Sequence, residues 1–404
     1  MVRDAGLLRR PVSLTVWYRL SPWWLRVVVI WAVSRVITTG LLLWFASRQG
    51  ANAWTDARPD YFSFASLWDG TWYYVIAVAG YPSELPVTAD GHVAENAWAF
   101  MPVYPMFVRG LMFITGLSWH ETAVIVSLAF SLATALVFYK LMRLVLPAGN
   151  SLFAVVLLCV APLTPITQVA YAESMHAFLL AVALYLLLKR RYWTLFPVVA
   201  IMALTRPTGL AFALALSLHV GHRWFTRHRD PFPTRDRVAS VALAFFSGVM
   251  GLAWLLIAWA VTGSLTAYTD TELAWRAPYI GYQELIPFAA WPQGAEFWLG
   301  SVLGPVALGV VAVGFILFML TPWVRRLGFD LNAWVISYVL YLAAVFFPQS
   351  STFRLLMPMF PLLGALAVPR SRVFRIGLVV ASVFGQWLWL HWCWWVDGYD
   401  WTPP

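Results

Sequence analysis

The chain has 404 residues, of which 61% are hydrophobic and 11% are charged, and its formal net charge is +9. Soluble domains carry about 25% charged residues, so this composition excludes an ordinary soluble protein and predicts a membrane protein built from helices. In such a protein the positive charge is expected to anchor loops at the cytoplasmic surface, and no binding of nucleic acid is predicted. The two cysteines, Cys159 and Cys393, lie too far apart in sequence to indicate a metal site or a disulfide framework.

The first predicted element is a membrane span at 24–46. This apolar run is too long for the core of a signal peptide, and it lacks a cleavage site of small residues, so we expect it to be retained. The external segment 47–120 is rich in aromatic residues, which is typical of amphipathic helices lying in the membrane interface. Within it, 99–117 is predicted to be interfacial or re-entrant, because a full crossing would move Lys140 and Arg143 to the outside.

The rest of the chain, 121–395, is predicted to consist of further membrane spans. Together with the span at 24–46 they give an all-α polytopic membrane protein of about eleven spans, within a range of nine to thirteen. We expect the whole chain, 1–404, to form a single domain. Several are shorter than the roughly 20 residues needed to cross a bilayer, so we expect a wet depression on one side. The predicted spans are 121–146, 151–168, 174–189, 192–205, 208–224, 237–262, 298–320, 331–347, 354–369 and 373–395.

The orientation is predicted from basic clusters, which cytoplasmic loops should carry. Placing every cluster inside requires an even number of crossings between neighbouring clusters, and the predicted spans allow this. The N-terminus is then cytoplasmic and the C-terminus external. The short turns at 162–173, 206–209 and 348–354 all open outward, so the predicted cavity lies on the external face. The clusters are Arg3/Arg9/Arg10/Arg19/Arg26, Lys140/Arg143, Lys189/Arg190/Arg191, Arg223/Arg227/Arg229/Arg235/Arg237, Arg325/Arg326 and Arg370/Arg372/Arg375.

Asp69 is the most informative single residue, because a lone carboxylate beside a membrane is energetically costly and usually has a function. It lies between Trp68 and Trp72, after the first predicted span. The predicted topology places it on the external face, where it could accept a proton from an attacking hydroxyl as a general base. The alternative is a helix cap or a turn in the membrane interface.

Other polar residues at the external ends of the predicted spans are candidate substrate-binding residues, namely Glu173, Arg206, Arg354, Asp270 and Arg276. A cavity with a carboxylate and several arginines suits an anionic, lipid-linked substrate, because guanidinium groups grip phosphate through charge-assisted hydrogen bonds. Local alternatives remain open. Arg206 could snorkel or bind its own turn, and Glu173 could cap a helix. Asp270 and Arg276, with Glu272 between them, could belong to a solvated loop helix.

The sequence contains no phosphate-binding glycine loop, zinc-binding motif or serine-nucleophile elbow. The energy for a transfer reaction must therefore arrive with the substrate. A sugar on a polyprenyl phosphate meets this requirement, since nucleotide sugars are not normally available outside the cell. Asp270-Thr-Glu272 is the nearest approach to an Asp-x-Asp pair and could hold a metal, but neither a metal nor another cofactor is predicted.

Several short blocks of sequence between about 24 and 370 carry a family resemblance. In chain order the blocks are Trp68-Asp69 with Ile76-Ala77 and Gly80-Tyr81, Phe100-Met-Pro-Val-Tyr-Pro105, Glu173-Ser174, Arg206-Pro-Thr-Gly209, Gly263-Ser-Leu-Thr-Ala-Tyr268 with Trp275, and Ser351-Thr-Phe-Arg354 through Pro361. On these blocks the chain resembles the PIG-V family of GPI mannosyltransferases and their bacterial relatives. Family members often carry a His-Phe pair shortly after the aspartate, where this chain has Trp72-Tyr73, so the acceptor is left open.

The resemblance implies a glycosyltransferase fold of the GT-C type, an inverting mechanism and a polyprenyl- or dolichyl-phosphate-mannose donor. It assigns the role of catalytic base to Asp69. We also predict that Trp68, Trp72 and Tyr104 contribute to the substrate site, whereas most tryptophans are expected to pack or to lie in the membrane interface. The resulting prediction is a multi-pass cell-membrane mannosyltransferase that acts on a lipid or glycolipid acceptor at the extracytoplasmic side.

Two alternatives stay open at this point. The same fold could transfer another sugar, or transfer mannose to a protein. A lipid or sugar transporter is a different class, which should show inverted repeats and charged residues near the bilayer midplane. The sequence shows no convincing repeat, and its external charges gather at one face, which favours the enzyme.

Overall fold

The computed structural model describes residues 20–283, 285–396 and 403–404 of the chain. Most of these residues are helical, and β structure among them is limited to one isolated bridge between Val87 and Val93. Short 3-10 turns lie at Ala97–Ala99 and Thr164–Gln168. The helices of the first half are α1 (Trp23–Ala46), α2 (Tyr61–Phe64), α3 (Asp69–Ala79), α4 (Val103–Thr115), α5 (Trp119–Met142), α6 (Ala148–Val160), α7 (Glu173–Leu188) and α8 (Tyr192–Ala203).

The second half continues in the same style, with long helices separated by short helical pieces. A kink at Gly300 bends one of the long helices, and a π turn at Leu390–Trp394 extends the last one. The helices are α9 (Gly209–Phe225), α10 (Thr234–Thr262), α11 (Ala267–Ala274), α12 (Ala277–Ile280), α13 (Ala290–Met319), α14 (Pro322–Arg325), α15 (Phe329–Val345), α16 (Thr352–Leu355), α17 (Leu362–Leu366) and α18 (Arg372–Trp389).

Five helical segments of the described chain are long and apolar enough to cross a membrane, namely α1, α5, α10, α13 and α18 with its π turn. Several helices of 10–17 residues are also apolar, including α4, α6, α7, α8 and α15. The prediction of a mostly helical protein is therefore confirmed, and five of the described helical segments are candidate membrane spans. The count of eleven crossings and the sidedness of the chain stay predictions.

The predicted continuous span at 354–369 is wrong. This segment is broken into α16, a 3-10 turn at Met357–Met359 and α17. Pro358 and Pro361 lack the backbone N–H that a helix interior requires, and their rings clash with the preceding turn. The predicted span at 151–168 also ends early, because α6 stops at Val160, before Pro162. Both interruptions provide non-helical backbone from which polar side chains reach the protein interior.

The external segment 47–120 contains α2, α3 and α4 and the loops between them. Within the part predicted to be interfacial or re-entrant, α4 has 13 residues and is about 20 Å long, which is shorter than a hydrocarbon core of about 30 Å. Its position relative to the membrane stays a prediction. The segment places Asp69, at the start of α3, against the turn between α6 and α7.

Two glycines let α9 and α10 cross with their backbones in contact. A Cβ atom on Gly209 would come within 2.6 Å of the Cα of Gly251, and one on Gly251 within 2.6 Å of the backbone N of Leu210. The Ser247 hydroxyl also donates to the carbonyl of Gly209 at 2.8 Å. Because Gly209 directly follows the turn between α8 and α9, this close crossing fixes the position of Arg206.

Candidate active site

Asp69 is the first residue of α3, and its backbone is fixed by contacts on both sides. Trp68, which precedes it, has φ +60°, an unfavourable region for a residue with a side chain. The backbone N–H of Asp69 donates to the hydroxyl of Tyr171 at 3.0 Å. Together these contacts direct the carboxylate of Asp69 inward, and the residue is only 8% exposed.

Asp69, Arg354, Glu173 and Arg206 form a buried charged cluster of alternating sign. Arg354 makes an ion pair with the Asp69 carboxylate, and its Nη1 lies 3.6 Å from Oε1 of Glu173. Nη2 of Arg206 lies 3.0 Å from the same Glu173 oxygen. The four side chains are at most 15% exposed. They come from four separate segments of the chain, so the fold, and no local motif, assembles the charged cluster.

Burial and neighbouring charges act in opposite directions on these groups. Burial raises the pKa of the Asp69 carboxyl above its ordinary value, and the Arg354 guanidinium partly opposes that shift. Burial works against the charge on Arg206, but the carboxylates of Glu173 and Asp69 act together with nearby tyrosines to outweigh it, so the pKa of Arg206 is raised. The Arg206 guanidinium therefore remains a cation, and the Asp69 carboxylate binds a proton more readily than an exposed aspartate does.

The charged cluster lines a cavity of about 340 Å³ that we call the Asp69 cavity. Its opposite wall comes from α11 and α15 and includes Tyr268, Glu272, Arg276 and Tyr341. Burial raises the pKa of Glu272, and the cation of Arg276 partly opposes the shift. Three carboxylates, three arginines and several aromatic rings thus face one space. The arginines can bind a phosphate, and the carboxylates and aromatic rings can contact a sugar joined to it.

Some buried polar atoms of residues that line the Asp69 cavity lack hydrogen-bond partners among the described residues. They are both carboxylate oxygens of Glu173, Oε1 of Gln349 and Nε of Arg354. The Glu173 contact with Arg206 is an ion pair without hydrogen-bond geometry. Buried polar groups in native proteins normally find partners, so these atoms are positions where a bound molecule could donate or accept hydrogen bonds.

The structure brings together five of the predicted site residues. Asp69, Glu173, Arg206, Arg354 and Arg276 all line the Asp69 cavity. The prediction that their side chains converge is therefore supported by their geometry, while the chemical roles of these residues stay predictions.

The other predicted site residues lie away from the described cavity wall. The Trp68 indole donates to the carbonyl of Trp394 at 2.9 Å, and the Tyr104 hydroxyl donates to the carbonyl of Ala123 at 3.0 Å. Trp72 stacks on Phe100 with ring centroids 5.7 Å apart. Asp270 is on α11 but is not part of the wall. These contacts give the three aromatic residues a packing function around the site.

Sequence reasoning did not select Glu272 and its aromatic neighbours as site residues. Tyr268, Glu272 and Arg276 follow one another at intervals of four along α11 and its end, so they share one helix face. Asp270 lies two residues from Glu272 and therefore on another face. That spacing is visible in the sequence and could have identified which acid of Asp270-Thr-Glu272 faces inward.

Metal binding receives no support from the described part of the chain. No group of three or more His, Cys, Asp or Glu side chains comes together there in a way that could hold a metal ion. Cys159 and Cys393 are both buried free thiols.

Fold and cavity together define the class of this protein as a mostly helical chain with several helices long and apolar enough to cross a membrane, and with a buried, charged cavity. No protein-family model matches the chain, and no curated protein matches it. The resemblance to the PIG-V family therefore stays a prediction.

Solved structures that are similar to the chain come from the archaeon Archaeoglobus fulgidus. One is the oligosaccharyltransferase AglB in complex with an inhibitory peptide and a dolichol-phosphate, at 11% identity and a TM-score of 0.45 over 90% of this chain and 55% of that one. Another is an oligosaccharyltransferase tethered to an acceptor peptide, at 11% identity and a TM-score of 0.42 over 90% and 54%. The chain spans about half the length of these structures.

Proposed function

We propose that this protein is an integral-membrane, inverting glycosyltransferase of the GT-C type. It transfers mannose from a polyprenyl-phosphate-mannose donor to a lipid or glycolipid acceptor on the external face of the membrane. The observation that carries the proposal is the Asp69 carboxylate, which is buried, paired with Arg354 and open to a cavity that also contains Arg206.

An inverting transfer needs one base, and Asp69 supplies it. The acceptor hydroxyl oxygen attacks the anomeric carbon from the face opposite the phosphate, and its proton moves to the Asp69 carboxylate. The bond between the anomeric carbon and the phosphate oxygen breaks, and its electron pair leaves with the polyprenyl phosphate. Arg206 and Arg354 stabilise the negative charge that develops on the leaving phosphate, so no general acid is required.

The charged cluster suggests how the base becomes available. Without substrate, the carboxylates of Asp69 and Glu173 neutralise the two arginines. A donor phosphate competes with Asp69 for Arg354, because a guanidinium binds both anions in the same geometry. Binding of the donor would therefore release the Asp69 carboxylate at the point where the acceptor hydroxyl must lose its proton.

Replacement of the base tests the proposal directly. Asp69→Asn should lower mannose transfer from labelled polyprenyl-phosphate-mannose by at least about a hundredfold, the effect expected when a general base is lost. Asp56→Asn is a matched control, since Asp56 lies in the same external segment and is exposed. Thermal melting in detergent verifies that Asp69→Asn is folded. A folded Asp69→Asn protein that retains transfer would refute the role of Asp69.

The identity of the labelled product separates the proposed reaction from its alternatives. Label in a lipid extract supports a lipid or glycolipid acceptor, whereas label in protein indicates protein mannosylation. Transfer from a polyprenyl-phosphate-glucose donor at an equal or greater rate would replace mannose as the proposed sugar.

A further inference from the structure

We propose that a second cavity, built around Arg35, binds a membrane lipid with an anionic phosphate headgroup. This Arg35 cavity has a volume of about 390 Å³ and lies between α1, α5, the end of α6 and the segment 353–363. It is independent of the proposed transfer reaction, because none of the charged cluster residues lines it.

Arg35 is a buried cation without a counter-ion among the described residues. The residue is 6% exposed and lies in the middle of α1, and no carboxylate of the described chain lies within 4.0 Å of it. A charge without a counter-ion is costly in a helix of this apolar character, so such a residue is a candidate for a functional site.

The hydrogen bonds of Arg35 leave part of the guanidinium free. Nη2 donates to the carbonyl of Cys159 at 2.9 Å, Nη1 donates to the hydroxyl of Thr167 at 2.9 Å, and Nε donates to the hydroxyl of Ser34 at 3.4 Å. A guanidinium has five N–H groups, so two of them remain available. They can donate to the oxygens of a phosphate in the adjacent cavity.

A purely structural role explains only part of this arrangement. The Cys159 carbonyl belongs to the C-terminal end of α6, so Arg35 caps that helix. The partial charge at a helix C-terminus is about half an elementary charge, which does not neutralise a full cation. Neutral acceptors at Thr167 and Ser34 add no formal charge, and a net positive charge remains at the cavity.

The remaining wall of the Arg35 cavity is apolar in character. The hydroxyls of Ser131, Thr134 and Thr167 donate to backbone carbonyls at 2.7–2.8 Å, so their protons are already engaged. Beside them the wall consists mainly of leucine, methionine and aromatic side chains. Such a wall, with one cation, fits a ligand that has a single anionic group on a hydrocarbon chain.

The rim of the cavity is apolar, which fits a ligand that carries a hydrocarbon chain. Phe353, which is 53% exposed, and Pro162, which is also exposed, line the cavity and are both apolar. The hydrocarbon chain of a lipid can pass this rim at little cost, whereas free phosphate would have to leave water for an apolar surface. Met357 lines both the Arg35 cavity and the Asp69 cavity, so a thin wall separates the two.

Photolabelling of the full-length protein in detergent tests this proposal. The probe is phosphatidylglycerol with a photoreactive group on one acyl chain close to the glycerol, so that it lies beside the headgroup. We expect saturable labelling within 158–164 or 359–363, two segments that contribute most of their residues to the Arg35 cavity and none to the Asp69 cavity. Unlabelled phosphatidylglycerol should compete, whereas phosphatidylcholine and inorganic phosphate should compete at least about tenfold less well.

Variants identify the part of the site that binds. Arg35→Gln should weaken labelling by about tenfold or more, and Arg35→Lys should retain part of it. Leu363→Phe keeps Arg35 but fills the cavity, so it tests the proposal even if loss of the α6 cap prevents folding of Arg35→Gln. Arg48→Gln is the control, because Arg48 is exposed just after the same helix. Undiminished labelling in Arg35→Gln and Leu363→Phe, or equal competition by phosphatidylcholine or inorganic phosphate, would overturn the proposal.

Discussion

Asp69 is positioned by its backbone as well as by its charge. Tyr171 accepts a hydrogen bond from the Asp69 N–H, and Arg354 pairs with the carboxylate. The hydrogen bond holds the start of α3 in place whether or not the ion pair is formed. Asp69 can therefore exchange Arg354 for a substrate hydroxyl without moving the backbone, as a pre-organised base requires.

The pH dependence of the reaction should report the environment of Asp69. Activity requires the deprotonated carboxylate, so kcat/KM falls as the pH drops through its pKa. Burial raises this pKa, so the acidic limb should lie above the range of an exposed aspartate. Arg354→Gln removes the cation that opposes the shift and should move the limb to still higher pH. An unmoved or lower limb in Arg354→Gln would contradict the assignment.

Glu272 provides a test of the opposite wall. Glu272→Gln removes a carboxylate that faces the Asp69 cavity, so we expect KM for the sugar donor or acceptor to rise by about tenfold with a smaller change in kcat. The comparison is Asp270→Asn, on the same helix but outside the wall, for which a smaller effect is expected. Initial-rate kinetics with both substrates measure the difference. A larger effect of Asp270→Asn would favour the sequence prediction over the observed wall.

At the scale of secondary-structure elements, the crossing of α9 and α10 links packing to the site. Gly209 begins α9 directly after the turn that carries Arg206, and Gly251 lies opposite it on α10. A side chain at either position would force the two backbones apart. The Arg206 turn would move with α9, so the contact between Arg206 and Glu173 depends on this crossing.

Two glycines three residues apart on α10 give a matched test of this crossing. A Cβ on Gly251 would lie 2.6 Å from the backbone N of Leu210, whereas one on Gly248 would lie no closer than 3.9 Å to its nearest neighbour. Gly251→Ala should lower the free energy of unfolding by about 1–3 kcal/mol and reduce kcat/KM, because overpacking shifts the backbone. Gly248→Ala should be neutral or slightly stabilising, since alanine favours helix. Thermal melts and kinetics compare them, and equal effects would contradict the proposed crossing.

How far the sequence predicted these elements depends on whether the relevant signal is local. Long apolar runs such as α1 and α5 were predicted well, because length and hydropathy alone define a helix that crosses a membrane. The break at Pro358 and Pro361 was missed, although proline is a local signal, because the segment remained apolar throughout. Apolar composition does not by itself distinguish a continuous helix from short helical pieces.

The site was predicted in part for a different physical reason. Asp69 and Arg354 are 285 positions apart, and no local pattern shows that they form an ion pair. The sequence points to both residues because a charged side chain near a membrane is energetically costly and needs a partner. The aromatic residues carried no such signal, because Trp68 and Tyr104 satisfy their polar atoms on distant backbone carbonyls that only the fold brings near.

At the scale of the whole molecule, two groups of buried polar residues lie at opposite ends of α9. The charged cluster and the Arg206 turn lie at the N-terminal end of α9. Near its C-terminal end, His219 contacts Asp330 at 2.8 Å and the hydroxyl of Tyr192 at 2.9 Å, which ties α9 to α8 and α15. The polar residues at the N-terminal end of α9 face the Asp69 cavity, whereas those at its C-terminal end link helices to one another. We therefore propose that the reaction takes place at the N-terminal end.

The central claim is that the chain itself transfers a sugar from a lipid phosphate, and reconstitution tests it most directly. Purified protein in liposomes is supplied with polyprenyl-phosphate-mannose labelled in the sugar, together with a lipid extract as the source of acceptor. We expect label to pass to a new, more polar lipid while polyprenyl phosphate is released in equal amount, and Asp69→Asn to form neither product. Label that stays on the donor while the donor crosses the bilayer would contradict the account and identify a transporter.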